Sequence, residues 1–231
     1  MARGTRCELA KQRFASSRHL MRRIGIFGTS GMAREAGDIA WDLGLEPVYV
    51  ACDQAEIDAC SLPGDFILES DADCYRDMDY VIGIGNNTIR QRIAQRHGGG
   101  LRFSNLIHPS ATFGRGQREQ IEHRQGVIVC AGARFTNNIQ IGNFCIFNLN
   151  STISHDVVIE EYVYVAPGAH ITGNIHIEAR VWIGVGVSIN QGHESVKRRI
   201  CEGATIGSGA VVLKDCEPNA IYAGVPARRI K

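Results

Sequence analysis

Residues 127–192 divide without remainder into hexads: VIVCAG-ARFTNN-IQIGNF-CIFNLN-STISHD-VVIEEY-VYVAPG-AHITGN-IHIEAR-VWIGVG-VSINQG. The third place is apolar throughout, at Val129, Phe135, Ile141, Phe147, Ile153, Ile159, Val165, Ile171, Ile177, Ile183 and Ile189. In a chain that is 44% apolar, such a run has odds on the order of one in ten thousand for a given register. Ile107 and Phe113 keep the interval beforehand, and Ile200, Ile206 and Val212 resume it after a break. Four residues after each large residue stands a smaller inward candidate, among them Ala133, Cys145, Ser151, Ala169 and Val187. A period of six suits neither a helix nor a flat strand. It suits a parallel β-helix in which each hexad makes one side and one turn, and three hexads close a triangular coil. The spacing predicts about five coils, roughly 25 Å in all at the usual strand separation. Two charged excursions are expected to leave the prism, one from Gly114 to about Gly126 and one from Asn190 to about Arg199.

The bulk properties narrow the function. The net charge of +1 across 231 residues argues against a general nucleic-acid binder, which needs a basic face. No run of about 18 apolar residues is present, so no membrane span is expected. The eight cysteines form no CxxC pair and no zinc spacing. Cys145, on an inward place, is expected as a packed thiol, and the cytoplasm as the compartment. The first 23 residues carry seven Lys or Arg against one Glu and lack the apolar core of a secretory signal. Residues 1–22 are expected to be a flexible basic extension without a part in the chemistry. A transit peptide, or an upstream start with Met21 as the working one, are the other readings.

Residues 23–105 read differently. Arg23–Phe27, Pro47–Ala51 and Tyr80–Ile84 are apolar strand candidates, with helical stretches from about Ala33 to Leu43 and from Thr88 to His97. Strands alternating with helices imply a parallel, Rossmann-like sheet with ligands at the carboxyl ends of its strands. In the turn after the first strand, Gly28 and Gly31 permit a tight bend, and Ser30 and Met32 complete the loop. The backbone N–H groups that follow suit a phosphate. Asp53 is spaced to accept bonds from a ribose or base, and Gly85 and Asn86 follow another strand end. Only about half of a dinucleotide fold fits before the hexads begin, which favours a nucleotide-sugar over NAD. Plain βα turns and helix caps are the structural alternatives. Residues 106–231 make the second domain.

The stretches Phe27-Gly-Thr-Ser-Gly-Met32, Gly83-Ile-Gly-Asn-Asn87, Asn105-Leu-Ile-His-Pro109, Ile153-Ser-His-Asp156 and Ala223-Gly-Val-Pro-Ala-Arg228 stand in a telling order. Together they resemble the bacterial sugar acetyltransferases of the sialic-acid O-acetyltransferase and UDP-4-amino-sugar N-acetyltransferase family. GDP-perosamine N-acetyltransferases look like another branch. The resemblance implies a left-handed β-helix, a nucleotide-sugar held by the first domain, and acetyl-CoA bound between the subunits of a homotrimer. It implies His155 as general base, a role that chemistry alone also favours. His155 lies outside the inward places, and an imidazole with a pKa of about 6.5 suits proton removal near neutrality. Asp156 would orient it, although neighbours on an ideal strand face opposite ways, so a turn or bulge is needed there. Asn148 matches a polar position near the family's active site, with a stacked amide ladder as its alternative. For acetyl-CoA the family has a second histidine nine residues after the base; this chain has Tyr164 there, whose hydroxyl is expected to bond the cofactor instead. Gly173, Gly184, Val185 and Ser208 match cofactor-contacting backbone, or are ordinary hexad turns. The charged stretch from His193 to Arg199 is expected to reach a neighbour or the phosphates of CoA.

The expected function is acetyl transfer from acetyl-CoA to the amine of a nucleotide-linked amino sugar, of the UDP-4-amino-sugar or GDP-perosamine type, in surface glycan biosynthesis. O-acetylation of a sialic acid or related sugar is the alternative, and a non-catalytic nucleotide-binding trimer is less favoured. No metal is expected. His155, His170 and His176 are not separated by multiples of eighteen, so they do not share one ladder of the coil.

Overall fold

The computed structural model describes residues 7–8, 21–193 and 195–231. Most of the expected basic extension lies outside the described residues. Cys7 forms a disulfide with Cys74, a pairing that the spacing of the cysteines did not suggest. The other six are outside any disulfide, and Cys145 is fully buried. The chain forms two compact units. One comprises the described residues up to Ile84 together with Ile93–Ser104, and the other Gly85–Arg92 with Asn105–Lys231.

In the first unit, β1 (Arg23–Phe27), β2 (Glu46–Ala51), β3 (Asp65–Leu68), β4 (Asp79–Ile82) and β5 (Arg102–Phe103) form a parallel sheet. Their order is β3-β2-β1-β4-β5, so the chain reverses direction across the sheet between β1 and β4. That switch point is where such sheets open a crevice for ligands. Ile24, Ile26, Val48, Val50, Val81 and Ile82 are all buried, as central parallel strands require. Helix α1 (Gly31–Asp42) follows β1, and the short α2 (Gln54–Ala59) follows β2. Helix α3 (Asn87–His97) begins in the second unit and ends in the first.

The second unit is a parallel β-helix. Its widest face stacks eight short strands from Leu106–Ile107 to Arg228–Arg229, the last of them antiparallel. A second face has six strands and a third has four, so the stack is longer than the five coils expected. Every one of the eleven periodic residues from Val129 to Ile189 is at most 3% exposed, and their smaller companions from Ala133 to Val187 are fully enclosed. Registers advance by eighteen residues per coil, as in Ile153↔Ile171↔Ile189.

The first excursion is a plug. Helix α4 (Gln117–Glu122) buries Ile121 in the prism core, and the Gln117 amide pairs with both the N–H and the C=O of Ile139 at 2.9 and 2.7 Å. It replaces the missing first strand of the third face. The second excursion turns back on itself through a His193–Val196 bridge. Within the chain, Lys197 bonds the Asp156 carbonyl and the Asn174 amide, and Arg199 pairs with Glu178.

Candidate active site

His155 and Asp156 form the vertex that joins the second face to the third. Asp156 has φ +60°, in the left-handed region, and this turn lets two neighbouring side chains point the same way. His155 Nδ1 lies 2.7 Å from Asp156 Oδ2. Asn138, one coil below, donates to the other carboxylate oxygen. Hydrogen bonds from His155 and then Asn138 hold the Asp156 carboxyl below its usual range. A carboxylate on Nδ1 fixes that nitrogen as a donor and leaves Nε2 to accept a proton. The His155 side chain is about half exposed. One coil above sits Gly173, where a Cβ would fall 2.6–3.0 Å from three ring atoms of His155.

The other residues singled out on the β-helix gather elsewhere. Asn148, Gly184, Val185 and Ser208 lie on the vertex between the first and second faces, and Tyr164 on the first face. Asn148 is enclosed, at 2% exposure. Its Nδ2 donates to the Tyr164 hydroxyl at 3.0 Å, and its Oδ1 accepts from Leu149 N. The buried amide thus holds the Tyr164 hydroxyl in place. Gly184 is required by close packing, since a Cβ would lie 2.7 Å from Ile206 O and Ser208 N. Val185 is half exposed at the vertex. Of the positions matched to the cofactor, Gly173 lies against the His155 ring in the same chain, whereas Gly184, Val185 and Ser208 lie on another vertex.

In the first unit, Gly28 has φ +110° and donates to Val50 O, and a Cβ there would press on Ile84 and Gly83. Ser30 precedes α1 without bonding its N-terminus through the side chain, and Gly31 faces open space. Met32 is buried. Asp53 Oδ1 caps α2 by accepting from Glu56 N at 2.9 Å. Glu56, which the sequence did not flag, braces the loop through Thr29 Oγ1 at 2.5 Å and Cys52 N at 2.7 Å. Burial raises its carboxyl, but the bonds from Thr29 and Cys52 outweigh that and leave it lowered.

Gly85 and Asn86 line a cleft of about 560 Å³ with Asn87, Thr88, Arg180, Trp182, Gly203, Thr205 and Asn219. Arg90 fastens the start of α3 beside it. Its guanidinium is fully buried and donates to Phe144 O at 2.7 Å, Tyr162 O at 2.8 Å and Asn87 Oδ1 at 2.9 Å. Asn87 Nδ2 in turn donates to Arg180 O and Val181 O. Burial pulls the guanidinium down to about 10, still well above neutrality, so the cation persists against main-chain carbonyls. Arg90 was legible only as one of several arginines in a helix.

Among the described residues no group of three or more His, Cys, Asp or Glu is arranged to hold a metal ion. His170 bonds Thr152 Oγ1, and His176 bonds Glu160. Among the described residues no helix is long and apolar enough to cross a membrane.

A parallel hexapeptide β-helix behind a half-size nucleotide fold, with a carboxylate-held histidine on an exposed vertex, defines a class of acyltransferase. Comparison with known proteins gives the family. Residues 23–97 match the model of the PglD N-terminal domain. GDP-perosamine N-acetyltransferase of Escherichia coli O157:H7 is 30% identical over 224 residues, covering 91% of this chain and 97% of that protein. WeeI from Acinetobacter baumannii AYE is 27% identical with a TM-score of 0.78, covering 90% of this chain and all of the other. The acetyltransferase domain of PglB from Neisseria gonorrhoeae FA1090, solved with acetyl coenzyme A, is 25% identical with a TM-score of 0.79, covering 91% and 100%. The chain belongs to this PglD-like family of hexapeptide-repeat sugar N-acetyltransferases, whose fold joins a parallel sheet to a left-handed parallel β-helix.

Proposed function

We propose that this enzyme moves the acetyl group of acetyl-CoA to the amine of a nucleotide-linked amino sugar during surface glycan biosynthesis, with His155 as general base. The observation that carries the reading is the exposed His155 ring held through Nδ1 by Asp156 at 2.7 Å. The amine nitrogen attacks the thioester carbonyl carbon, and His155 Nε2 takes the proton that the nitrogen sheds. The C–S bond breaks, and the departing thiolate receives that proton from the imidazolium. Such base assistance is typically worth about 10²–10⁴-fold.

The acetyl-CoA-bound PglB domain and the GDP-perosamine enzyme support the donor and the acceptor class. The Gly28–Met32 loop is assigned to the nucleotide. Acetyl-CoA is assigned to the vertex of Gly184, Val185 and Ser208, where small residues and an exposed valine leave room for a long chain. Because His155 occupies another vertex, a complete site needs a second copy, and the assembly is proposed to be a homotrimer.

Release of free thiol against a panel of UDP-, GDP- and CMP-linked amino sugars identifies the acceptor. His155→Ala is expected to keep nucleotide-sugar binding and lose about 10²-fold or more in turnover. Asp156→Asn is expected to lose less. A His155→Ala enzyme with near-normal kcat on a saturating acceptor overturns the mechanism.

A further inference from the structure

The vertex that carries the catalytic pair is left-handed in three successive coils. Asn138, Asp156 and Asn174 stand there with φ of +54°, +60° and +62°. The rungs are tied to one another: Asn138 donates to the Asp156 carboxylate from below, and Asn174 N donates to His155 O at 3.0 Å from above. The second excursion leaves the prism directly over this vertex, and both of its ends are laced to it. Gly192 N donates to Gly173 O at 3.0 Å, and Arg198 N to Asn174 O at 3.1 Å. Between those ends the backbones of His193 and Val196 pair in both directions at 3.1 Å, and the Asn174 amide donates to His193 O.

This lacing delivers Lys197 to the catalytic turn. Its side chain is partly buried, and Nζ reaches back to donate to the Asp156 carbonyl oxygen and, at 3.1 Å, to Asn174 Oδ1. Fixing a lysine stem costs side-chain entropy, and taking its ammonium out of water costs more unless the donors are matched. Here both acceptors belong to the left-handed vertex. Non-glycine residues hold that backbone only where the surroundings fix it. Asp156 is fixed at its carboxylate by Asn138 and at its carbonyl by Lys197. The coil below presents the neutral Asn138 and the coil above Gly173 and Asn174, so Lys197 is the cation that bears on the Asp156 carboxyl beside the His155 ring. We infer that Lys197 is a positioning residue for acetyl transfer: it locks the Asp156 turn toward His155 Nδ1 and keeps a fixed positive charge beside the pair. That charge opposes protonation of the imidazole, which must be neutral to act as a base. The inference rests on His155 being the general base and adds to it a role for the second excursion.

The test is the pH dependence of kcat for the intact enzyme, followed by thiol release with saturating acetyl-CoA and the amino-sugar acceptor that the panel identifies. Lys197→Met keeps the stem and removes the charge. It should lower kcat by about 10-fold while both KM values stay within about twofold, since a slightly misplaced base slows the step and leaves binding alone. The acid limb of kcat should move to higher pH by about half a unit, because no neighbouring cation then opposes the imidazolium. Lys197→Arg restores the charge and should return the limb to its wild-type place. The position of the limb does not depend on how much protein is folded, so it is readable even in a variant of low yield. A Lys197→Met enzyme with an unmoved limb, whether or not kcat falls, overturns the inference and leaves the acetyltransferase reading intact. A moved limb that Lys197→Arg does not return overturns it as well. A raised KM for acetyl-CoA at unchanged kcat gives the excursion to the donor and has the same consequence. Near-normal kcat in His155→Ala overturns instead the reading on which the inference stands.

Discussion

Gly173 lies outside the left-handed region, so an alanine would meet no backbone strain there, yet its Cβ would fall within 2.6–3.0 Å of Cε1, Nε2 and Nδ1 of His155. The glycine is therefore the seat of the imidazole. Gly173→Ala should tilt the ring off Asp156 and lower kcat by about 10–10²-fold, since small misplacements of a reacting group cost that much. The fold should be untouched. In a His155→Ala background the same substitution should cost nothing further, because the ring it displaces is gone. A double-mutant cycle on kcat reads this coupling directly. If Gly173→Ala were equally harmful with and without His155, the glycine would serve some other group. His155 was legible in the sequence because it breaks an aliphatic pattern beside an acid. Gly173 stood eighteen residues further, a full coil, and that spacing was the signal for its contact with the ring. The pairing of His155 with Asp156 needed φ +60° at the acid, which no spacing reveals.

At the scale of the element, the periodicity foretold the inward rungs well because a triangular prism admits large aliphatic groups at one place per side. Ile171 packs between Ile153 and Ile189 on the second face and is completely enclosed. Ile171→Ala should cost about 2–5 kcal/mol, the usual range for a large aliphatic truncation in a core that relaxes only partly. Chemical denaturation of the assembled protein measures it, and a loss below about 1 kcal/mol would show a core far more compliant than close packing allows. The elements that escaped the sequence reading are those without a periodic apolar signature. Strand β3 is an edge strand of four residues with one buried, and β5 is a two-residue edge strand. Helix α4 replaces a coil side with six residues, of which Ile121 alone enters the apolar core. The cleft at Trp182, Gly203 and Thr205 escaped for the opposite reason. It is made by outward positions, where a Thr or a Gly carries no mark until its neighbours one coil below are known to be large.

At the scale of the whole molecule, the decisive fact is that His155 and the vertex of Gly184, Val185 and Ser208 belong to different edges of the same prism. That second vertex also exposes Leu149 and Val185, large apolar groups on one edge that water solvates poorly. A ring of three chains, each offering one edge to the next, would cover that edge and complete three equivalent sites. Such a head-to-tail contact closes when the rotation is one-third of a turn. Light scattering should therefore report a trimer, and a monomer at working concentration would remove the shared site. Mixing tests the sharing itself. His155→Ala lacks the base, and Val185→Trp blocks the cofactor groove from an exposed position, so each variant alone should be nearly inactive while folding normally. Co-refolded in equal amounts, they assort at random, and about one site in four should draw an intact base from one chain and an intact groove from its neighbour. Recovery of about a quarter of wild-type turnover is the expected result. If each site were built within one chain, every site in the mixture would carry one defect or the other. Activity would then stay at the level of the separate variants.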